Sequence, residues 1–419
     1  MESWIGLLDC NNFFVSCERL FRPDLKGKPV LVLSSNDGCV VARSQEIKDN
    51  GIAMGVPYFQ IKDILRDINA TTFSSHFALY RDISRRVFEV MREELDTVEQ
   101  YSVDEAFFII EGSNQKELQK KILCIKDRVE RVVGIPVSVG LAKSKTLAKY
   151  AGSVAKRTTG TFVLSESEWG SRAATVKLAD IWGVGFRSAD AYRKKGVVTV
   201  ADFLALERRQ VQELFGVVGI RLWQELQGIP SVTVTRHVQS QKSILNSRSF
   251  KGTTNDKSVL EDAVAYHVRE AAEDLRAMNQ KTSCIQVHLG TSRHGDYLLQ
   301  GGTLTAVLPH PTNDTFVLLR AASGLVEQLF KPGVPYKKAG VLLTNFSPER
   351  VSQLELFVDT QEEKTKDLMP VIDAINHGMG RHSLLLGSHL QTKKWQSSQE
   401  SRSPAYTTAW KDIAIVKAQ

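Results

Sequence analysis

The segment Val98–Ile110 reads VEQYSVDEAFFII and contains the residues on which the predicted fold and function depend most. Two adjacent acids, Asp104 and Glu105, stand inside a run of β-branched, aromatic and aliphatic residues that favours buried strands. A buried carboxylate is costly unless a positive charge neutralises it. Because Mg²⁺ prefers carboxylate oxygens and keeps positions open for water and phosphate, the pair is interpreted as metal ligands that face a phosphorylated substrate. The alternative is a solvated hairpin tip.

A third acid follows the first apolar run of the chain. Trp4–Leu8 predicts a buried strand, and Asp9 is expected at its exit. A carboxylate in that position is often catalytic or metal-binding, and the alternative is that Asp9 caps the next helix. With Asp104 and Glu105 it makes three acids, which is enough to hold two divalent cations for in-line attack on a phosphate.

The composition points to a large globular protein with a polyanionic partner. At 419 residues the chain is expected to contain more than one domain, and 54 basic residues outnumber 47 acidic ones. No acid occurs between Val132 and Ser165, although five bases lie there. This imbalance favours a phosphate-facing surface over an ordinary solvated helix. The five bases are Lys143, Lys145, Lys149, Lys156 and Arg157.

Cysteine usage and hydropathy predict a cytoplasmic protein. The five cysteines are an odd set without a C-x-x-C pair, which argues against a disulfide framework or a zinc site and fits a reducing compartment. No apolar run is long enough for a signal-peptide core or a membrane span. We therefore expect a soluble intracellular chain that does not associate with a membrane.

Two motifs together resemble a known family. The first is Asp9-x-Asn11-x-Phe13-Phe14, and the second, much later, is YSVDEAF at Tyr101–Phe107. They resemble the palm of the Y-family translesion DNA polymerases, in particular the UmuC branch. A domain of this kind would belong to a bacterial, cytoplasmic enzyme that adds deoxynucleotides to a DNA primer.

The resemblance implies a role for each acid. Asp9, Asp104 and Glu105 would hold two Mg²⁺ ions, with the main-chain carbonyl of Cys10 as a further ligand. One ion would lower the pKa of the primer 3′-hydroxyl, and the other would hold the triphosphate and stabilise the leaving pyrophosphate.

The resemblance also implies a nucleotide site. Phe14 would be the steric gate, a ring beneath the incoming sugar that leaves no room for a ribose 2′-hydroxyl, whereas Phe13 is assigned to the core. Arg43, Lys48 and Lys156 would contact the dNTP, Lys156 by neutralising charge on its phosphates. Gln45 stands where many relatives outside this branch have tyrosine, and as isolated residues Arg43 and Lys48 would be surface charges.

The predicted fold class is multidomain α/β, a right-hand polymerase with palm, small fingers, helix-hairpin-helix thumb and α/β little finger. Gly183 and Gly185 form the predicted hairpin, which would present N–H groups to a DNA phosphate, and Arg248 is the candidate phosphate contact of the little finger. The predicted domains are residues 1–30 and 75–170 (palm), 31–74 (fingers), 171–230 (thumb), 231–243 (linker), 244–350 (little finger) and 351–419 (clamp-binding peptide and tail).

Periodicity predicts the secondary structure that carries these motifs. Helices are expected over His76–Leu95, Leu118–Val133, Leu206–Leu226, Val259–Met278 and Phe316–Phe330, with Ser44 as the N-cap of a short helix that carries Lys48. Further strands are expected over Pro29–Leu33, Cys39–Ala42, Pro136–Leu141, Ser283–Gly290 and Lys338–Leu343. The hairpin is expected to join two helices, of which the second runs to Lys195.

The final seventy residues contain two motifs for partners. Gln353-Leu354-Glu355-Leu356-Phe357 resembles the pentapeptide with which bacterial polymerases hold the sliding clamp, and Gln353, Leu354, Leu356 and Phe357 would be its anchors. The alternative is a strand edge. Ser403–Thr408 (SPAYTT) resembles the carboxy-terminal extension of the UmuC branch, where accessory subunits would dock. Composition alone predicts a partly ordered tail.

The predicted function is error-prone, DNA-directed DNA synthesis past lesions in the SOS DNA-damage response. Implied partners are primer-template DNA, dNTP, the sliding clamp, a UmuD-like processed dimer and a RecA filament. Two alternatives belong to other classes. One is a catalytically silent DNA-binding scaffold that brings the clamp to damage, and the other is a palm-fold nucleotide cyclase, which would need neither the thumb nor the clamp peptide.

Overall fold

The computed structural model describes residues 2–236, 240–292, 300–349, 368–380, 383–385, 395, 399–413 and 415. The chain forms two compact units, residues 1–238 together with 400–419, and residues 239–399. The carboxy-terminal end of the chain therefore groups with the first unit. Each unit is described separately below.

The strands are β1 (Glu2–Cys10), β2 (Val30–Leu33), β3 (Val40–Arg43), β4 (Thr71–Ser74), β5 (Val98–Gln100), β6 (Glu105–Gly112), β7 (Val137–Ala142), β8 (Thr161–Val163), β9 (Ser243–Thr254), β10 (Gln280–Thr291), β11 (Gly301–Thr312) and β12 (Tyr336–Pro348). The helices are α1 (Phe13–Phe21), α2 (Gln45–Asp49), α3 (Tyr58–Asp67), α4 (Phe77–Glu94), α5 (Gln115–Val133), α6 (Lys145–Ala155), α7 (Glu166–Ala173), α8 (Phe186–Lys194), α9 (Val200–Leu204), α10 (Arg208–Leu226), α11 (Lys257–Ala277), α12 (Thr315–Leu329) and α13 (Leu368–Gly378). The predicted strands and most of the predicted helices are confirmed with ends shifted by a few residues, but α10 is kinked at Gly216 (φ 64°, ψ −159°) and the first helix of the hairpin is not an α-helix.

A five-stranded sheet, ordered β5-β6-β1-β7-β8, is the centre of the first unit. Its central strand β1 is antiparallel to both β6 and β7. Successive side chains of a strand point to opposite faces, so Leu8 enters the core beneath α4 and α5 while Leu7 enters the core beneath α6. Because both faces are covered, the middle of β1, Trp4–Leu8, is apolar, which explains the uninterrupted run in the sequence.

Helix α6 lies against the sheet at very short range. A Cβ added to Gly140 of β7 would come within 2.0 Å of the main-chain nitrogen of Gly152 in α6. Only glycine fits this contact, since the helix backbone occupies the space of a side chain. The close approach brings the lysines of α6 to the edge of the sheet where the acids lie.

A smaller sheet, ordered β3-β2-β4, packs with α2 and α3 around its own apolar cluster. Ser44 occupies the N-cap position of α2, but its side chain makes no capping hydrogen bond. Its Oγ instead accepts from the main-chain N–H of Val30 at 3.1 Å, because the residue is buried against β2. The predicted capping bond is therefore wrong, although the helix begins where expected.

The predicted hairpin differs from a pair of full helices. On its amino-terminal side there is only one 3₁₀ turn, Leu178–Asp180, and α8 follows. Gly183 has φ +89°, a conformation that glycine adopts without steric cost, and Gly185 occupies the N-cap position of α8. The turn is thus as predicted, whereas its first helix is too short to be an α-helix.

The second unit is a four-stranded antiparallel sheet, ordered β11-β10-β12-β9, with α11 and α12 on one face. Its core includes Trp395, whose Nε1 donates to Asp262 Oδ2 at 2.6 Å. Helix α13 is joined to α11 by an ion pair in which Arg276 donates to both carboxylate oxygens of Asp373. This α/β architecture confirms the predicted antiparallel module.

The clamp peptide Gln353–Phe357 lies outside the described residues. Among the helices in the described ranges, none has the length and apolar character needed to cross a membrane.

Candidate active site

Three acids lie together at one end of the β1–β6 strand pair. Asp9 of β1 stands directly opposite Glu105 of β6, and the main-chain N–H of Cys10 donates to the carbonyl of Asp104 at 2.9 Å. Directly opposed residues of antiparallel strands have their Cβ atoms about 5 Å apart. Asp9 lies at the carboxy-terminal end of β1, as predicted, although the strand continues to Cys10, and the N-cap of the next helix is Asn12 rather than Asp9.

The turn that carries the acidic pair is held by Ser102, a residue that the sequence analysis missed. Its hydroxyl donates to Asp104 Oδ1 at 2.7 Å and accepts from the main-chain N–H groups of Asp104 and Glu105 at 3.3 and 3.0 Å. These bonds fix the conformation of the turn. A serine two residues before an acid is a known turn pattern, so the motif itself contained the signal.

Burial dominates the electrostatics of Asp9, which is 7% exposed. The pKa of Asp9 is raised to about 7, mainly by loss of hydration, while the Lys156 ammonium opposes the rise and the Glu105 carboxyl adds to it. Lys156 Nζ lies 2.7 Å from Asp9 Oδ1. The site therefore holds more negative charge than its surroundings solvate, and a cation would be favoured there.

Lys149 binds the second strand of the pair and was also missed as a site residue. Its Nζ lies 2.9 Å from Glu105 Oε2, 4.6 Å from the ring centroid of Tyr101 and 5.1 Å from that of Trp182. The spacing of seven between Lys149 and Lys156 equals two helical turns, which places both on the side of α6 that faces the acids. That spacing was the available signal.

The acid-free stretch is not an open phosphate-facing surface, so that interpretation is wrong for most of it. Four of its lysines bind acids that β1, β5 and β6 contribute: Lys143 with Glu2, Lys145 with Glu99, Lys149 with Glu105 and Lys156 with Asp9. Lys145 is almost fully buried. The opposite charges come from residues distant in sequence, and local composition cannot show them.

The acids fit Mg²⁺ by chemistry, although lysines neutralise two of them. Within the described residues, no three acidic, histidine or cysteine side chains converge closely enough to hold a cation. Lys156 and Lys149 bind carboxylate oxygens that a metal would use. The donor set is nevertheless the hard oxygen type that Mg²⁺ prefers, and Asp9 and Glu105 interact directly. The two-ion site stays a prediction.

Cys10 contributes no thiolate to the site. Its side chain is 2% exposed within the core, and burial, followed by the charge of Asp9, raises its pKa well above the ordinary value. The thiol is thus neutral, which leaves the main-chain carbonyl as the group of Cys10 that was predicted to bind a metal. That ligand assignment is not tested and stays a prediction.

The two phenylalanines separate into one core residue and one ring beside the site. Phe13 is 3% exposed, which confirms its assignment to the core, whereas Phe14 is half-buried. The Phe14 ring stacks on Tyr80 with centroids 4.4 Å apart and an angle of 14°, and Phe77 meets it edge-on at 5.8 Å. Neighbouring rings therefore restrict how far Phe14 can turn.

Three cations lie close enough to influence one another. The pKa of Lys48 is lowered by burial and then by the charges of Arg43 and Lys156. Lys48 Nζ donates to Asn12 Oδ1 at 2.6 Å, and Arg43 donates to the carbonyl of Ile52. The predicted nucleotide contacts are thus brought together, and their mutual repulsion favours a polyanion between them.

The remaining predicted DNA contacts are less uniform. Phe186, which follows Gly185, is 90% exposed at the start of α8, so this turn is open to solvent. Arg248 of β9 lies with its guanidinium 5.9 Å from the Tyr266 ring of α11, on the helix-covered face of the sheet. Both assignments as phosphate contacts stay predictions.

Comparison with family profiles shows what the chain resembles. The impB/mucB/samB family profile matches residues 8–153, and the C-terminal domain of that family matches residues 241–356. A domain of unknown function matches residues 366–416. These matches include the three acids and most of the carboxy-terminal tail, residues 351–356 and 366–416.

Similar proteins and structures agree with the profiles. Protein UmuC of Salmonella typhimurium is 36% identical over 98% of this chain and 100% of its own, and protein SamB of the same organism is 35% identical over 98% and 99%. A Y-family DNA polymerase chimera of Dbh and Dpo4 superposes with a TM-score of 0.68, at 20% identity over 82% of this chain and 99% of its own. This last likeness shows the fold.

Proposed function

Because the chain belongs to the impB/mucB/samB family, and is therefore a Y-family, DNA-directed DNA polymerase of the UmuC type, we propose that it copies damaged templates with an active site built on Asp9, Asp104 and Glu105. One observation carries this assignment of the site. Asp9 lies opposite Glu105 in the strand pair, and it is buried enough for its pKa to rise to about 7. A divalent cation beside this pair would stabilise the charged form of both carboxylates.

Two Mg²⁺ ions held by these acids would activate the primer 3′-hydroxyl and hold the triphosphate of the incoming nucleotide. In this structure the ammonium groups of Lys149 and Lys156 neutralise the carboxylates of Glu105 and Asp9. Each carboxylate would exchange this single ammonium contact for a metal ion. Ser102 fixes the turn, so Asp104 keeps its orientation. Lys156, which is 42% exposed, can turn from Asp9 toward a phosphate.

The nucleotide site consists of a basic side and an aromatic floor. Arg43, Lys48 and Lys156 would bind the triphosphate, and the repulsion that lowers the pKa of Lys48 would be relieved by the negative charge of the ligand. Phe14 would lie beneath the sugar, supported by Tyr80. A ring held in this way rejects a ribose because it cannot move aside for the 2′-hydroxyl.

The chain is further proposed to act in the bacterial cytoplasm during the SOS response. Its partners would be primer-template DNA, a sliding clamp bound through Gln353–Phe357, a UmuD-like processed dimer and a RecA filament. The thumb hairpin and the second unit, taken as a little finger, would hold DNA through Gly183, Gly185 and Arg248. The similarity to UmuC along almost the whole chain supports this set of partners.

Primer extension past an abasic site tests the proposal, with Mg²⁺, all four dNTPs, clamp, processed dimer and RecA filament. The native chain is compared with Asp104→Asn and with Glu111→Gln, an exposed acid on the same strand β6. We expect bypass by the native and Glu111→Gln chains and none by Asp104→Asn. Equal bypass by all three would refute the site. If no chain extends a primer while all bind DNA and clamp, the scaffold function is favoured.

A further inference from the structure

The end of the chain returns to the first unit and binds beside the proposed nucleotide site. Ser401 and Arg402 lie along β4: the main-chain N–H of Ser74 donates to the carbonyl of Ser401 at 3.0 Å, and Ser74 and Arg402 form a parallel bridge. The N–H of Ser401 donates to Ser74 Oγ at 3.1 Å. The segment 400–406 therefore extends the smaller sheet by a short strand-like contact.

The next residue, Ser403, enters a buried polar network. It is 7% exposed, and its Oγ lies 3.1 Å from Nδ1 of His76, the residue at the start of α4. Glu18 of α1 is also fully buried, and burial raises the pKa of its carboxyl. Tyr80 of α4 donates to Glu18 Oε1 at 2.6 Å. The tail thus contacts the start of α4, the helix whose Tyr80 is hydrogen-bonded to α1.

That network lies directly behind the aromatic floor. Tyr80, which donates to Glu18, is the ring on which Phe14 stacks. Phe14 belongs to α1, as does Glu18 one helical turn later. The position of the Phe14 ring is therefore determined by how α1 and α4 are held together, and Ser403 contacts the start of α4.

The tail contacts α1 through an aromatic pair at the last residue of that helix. The Tyr406 ring stacks on Phe21 with centroids 4.6 Å apart and an angle of 6°. The segment is itself folded, since Asp412 Oδ2 accepts from the main-chain N–H of Ala405 at 2.9 Å. Through Ser403 and Tyr406 the tail therefore contacts the start of α4 and the end of α1.

We propose that Ser403 and Tyr406 are positioning residues for nucleotide selection: by fixing α1 against α4 they hold the Phe14 ring in place and sharpen discrimination between deoxyribose and ribose. The inference rests on the proposed function, since it takes Phe14 as the ring beneath the sugar. It assigns to residues 400–413 a role within the active site, in addition to any docking of partners.

The test measures kcat/KM for a correct dNTP and for the matching rNTP in the full-length chain. Ser403→Ala and Tyr406→Ala are compared with their conservative counterparts Ser403→Thr and Tyr406→Phe. In the two alanine variants we expect the dNTP/rNTP ratio of kcat/KM to fall about three- to tenfold, mainly through changes in KM. This is the size of effect that the loss of one buried contact implies. The conservative variants should retain most of it.

A double-mutant cycle with Phe14→Ala separates positioning from general destabilisation. If Ser403 acts through the ring, adding Ser403→Ala to Phe14→Ala changes the ratio no further. An unchanged dNTP/rNTP ratio in both alanine variants, or a fall in kcat alone, would overturn the inference. The assignment of Phe14 as the steric gate would not be affected by that result. If Phe14→Ala itself leaves sugar selection unaltered, the gate assignment fails and the inference falls with it. Should Ser403→Ala not fold, Tyr406→Ala decides.

Discussion

Replacement of Phe14 by alanine is expected to admit ribonucleotides while leaving deoxynucleotide addition largely intact. The ring stacks on Tyr80 at 4.4 Å and is met edge-on by Phe77 at 5.8 Å, so it has little freedom to retreat from a larger sugar. Alanine removes the ring but leaves α1 in place, because the neighbouring Phe13 and Val15 supply the buried contacts of this turn.

The size of the effect follows from two penalties that a ribose meets in the native site. Forcing one extra heavy atom against a packed ring costs about 1–3 kcal/mol. Burying a hydroxyl without a partner costs a further ~1–3 kcal/mol. Taking roughly 3 kcal/mol in total, and about 1.4 kcal/mol per factor of ten, Phe14→Ala should reduce the dNTP/rNTP ratio of kcat/KM by about 100-fold.

The assay is single-nucleotide primer extension with dNTP or rNTP under identical Mg²⁺ concentrations. Phe14→Tyr is the matched control, since it keeps the ring and should retain selection. Phe77→Ala removes only the edge contact of a ring that is 44% exposed, and should weaken selection by a few-fold at most. A ratio unchanged in Phe14→Ala, or lowered equally by Phe14→Tyr, would refute the reasoning.

Three further outcomes are expected. Lys156→Ala should raise KM for dNTP by about 30-fold, because one charge-assisted phosphate contact is lost. Arg157→Ala removes the exposed neighbouring cation and should leave KM unchanged, and steady-state kinetics measure both. In thermal melts without Mg²⁺, Asp9→Asn should stabilise the chain by up to ~4 kcal/mol at pH 8 and hardly at pH 4. The pKa of the Asp9 carboxyl is about 7 in the folded chain and 3.8 ordinarily, so above pH 3.8 the unfolded chain ionises this carboxyl more readily than the folded chain does. Equal gains at both pH values would contradict this reasoning. Deletion of Gln353–Phe357 should reduce clamp-dependent synthesis only, and an equal loss without clamp would argue against the predicted clamp contact.

The sequence was most informative where one local pattern determined the structure. Helical spacing identified α4 and α5, because each of these helices buries one face. The apolar run Trp4–Leu8 identified β1, because this strand buries both of its faces. The acidic pair was recognisable because charged residues rarely interrupt a strand of aromatic and branched residues. That Asp9 belongs to the same site followed from the resemblance rather than from any local rule, and the register of Asp9 opposite Glu105 was not predicted.

The features that could not be predicted are contacts between residues far apart in the chain. Lys149 and Lys145 carry no local sign that their partners are Glu105 and Glu99, since those acids are brought near only by the sheet. The return of Ser403 to His76 is of the same kind. A short polar segment has no apolar periodicity, so its composition could indicate only a partly ordered tail.

The central claim is that the acids at the end of β1 and β6 form a metal-dependent polymerase centre. Single-turnover addition of one correct dNTP to an undamaged primer, measured across a Mg²⁺ titration, tests it most directly. Glu105→Gln should lose at least ~1000-fold in rate at every Mg²⁺ concentration, since it removes a metal ligand, whereas Glu111→Gln should follow the native curve. A Glu105→Gln chain with native rate and native Mg²⁺ dependence would contradict the claim.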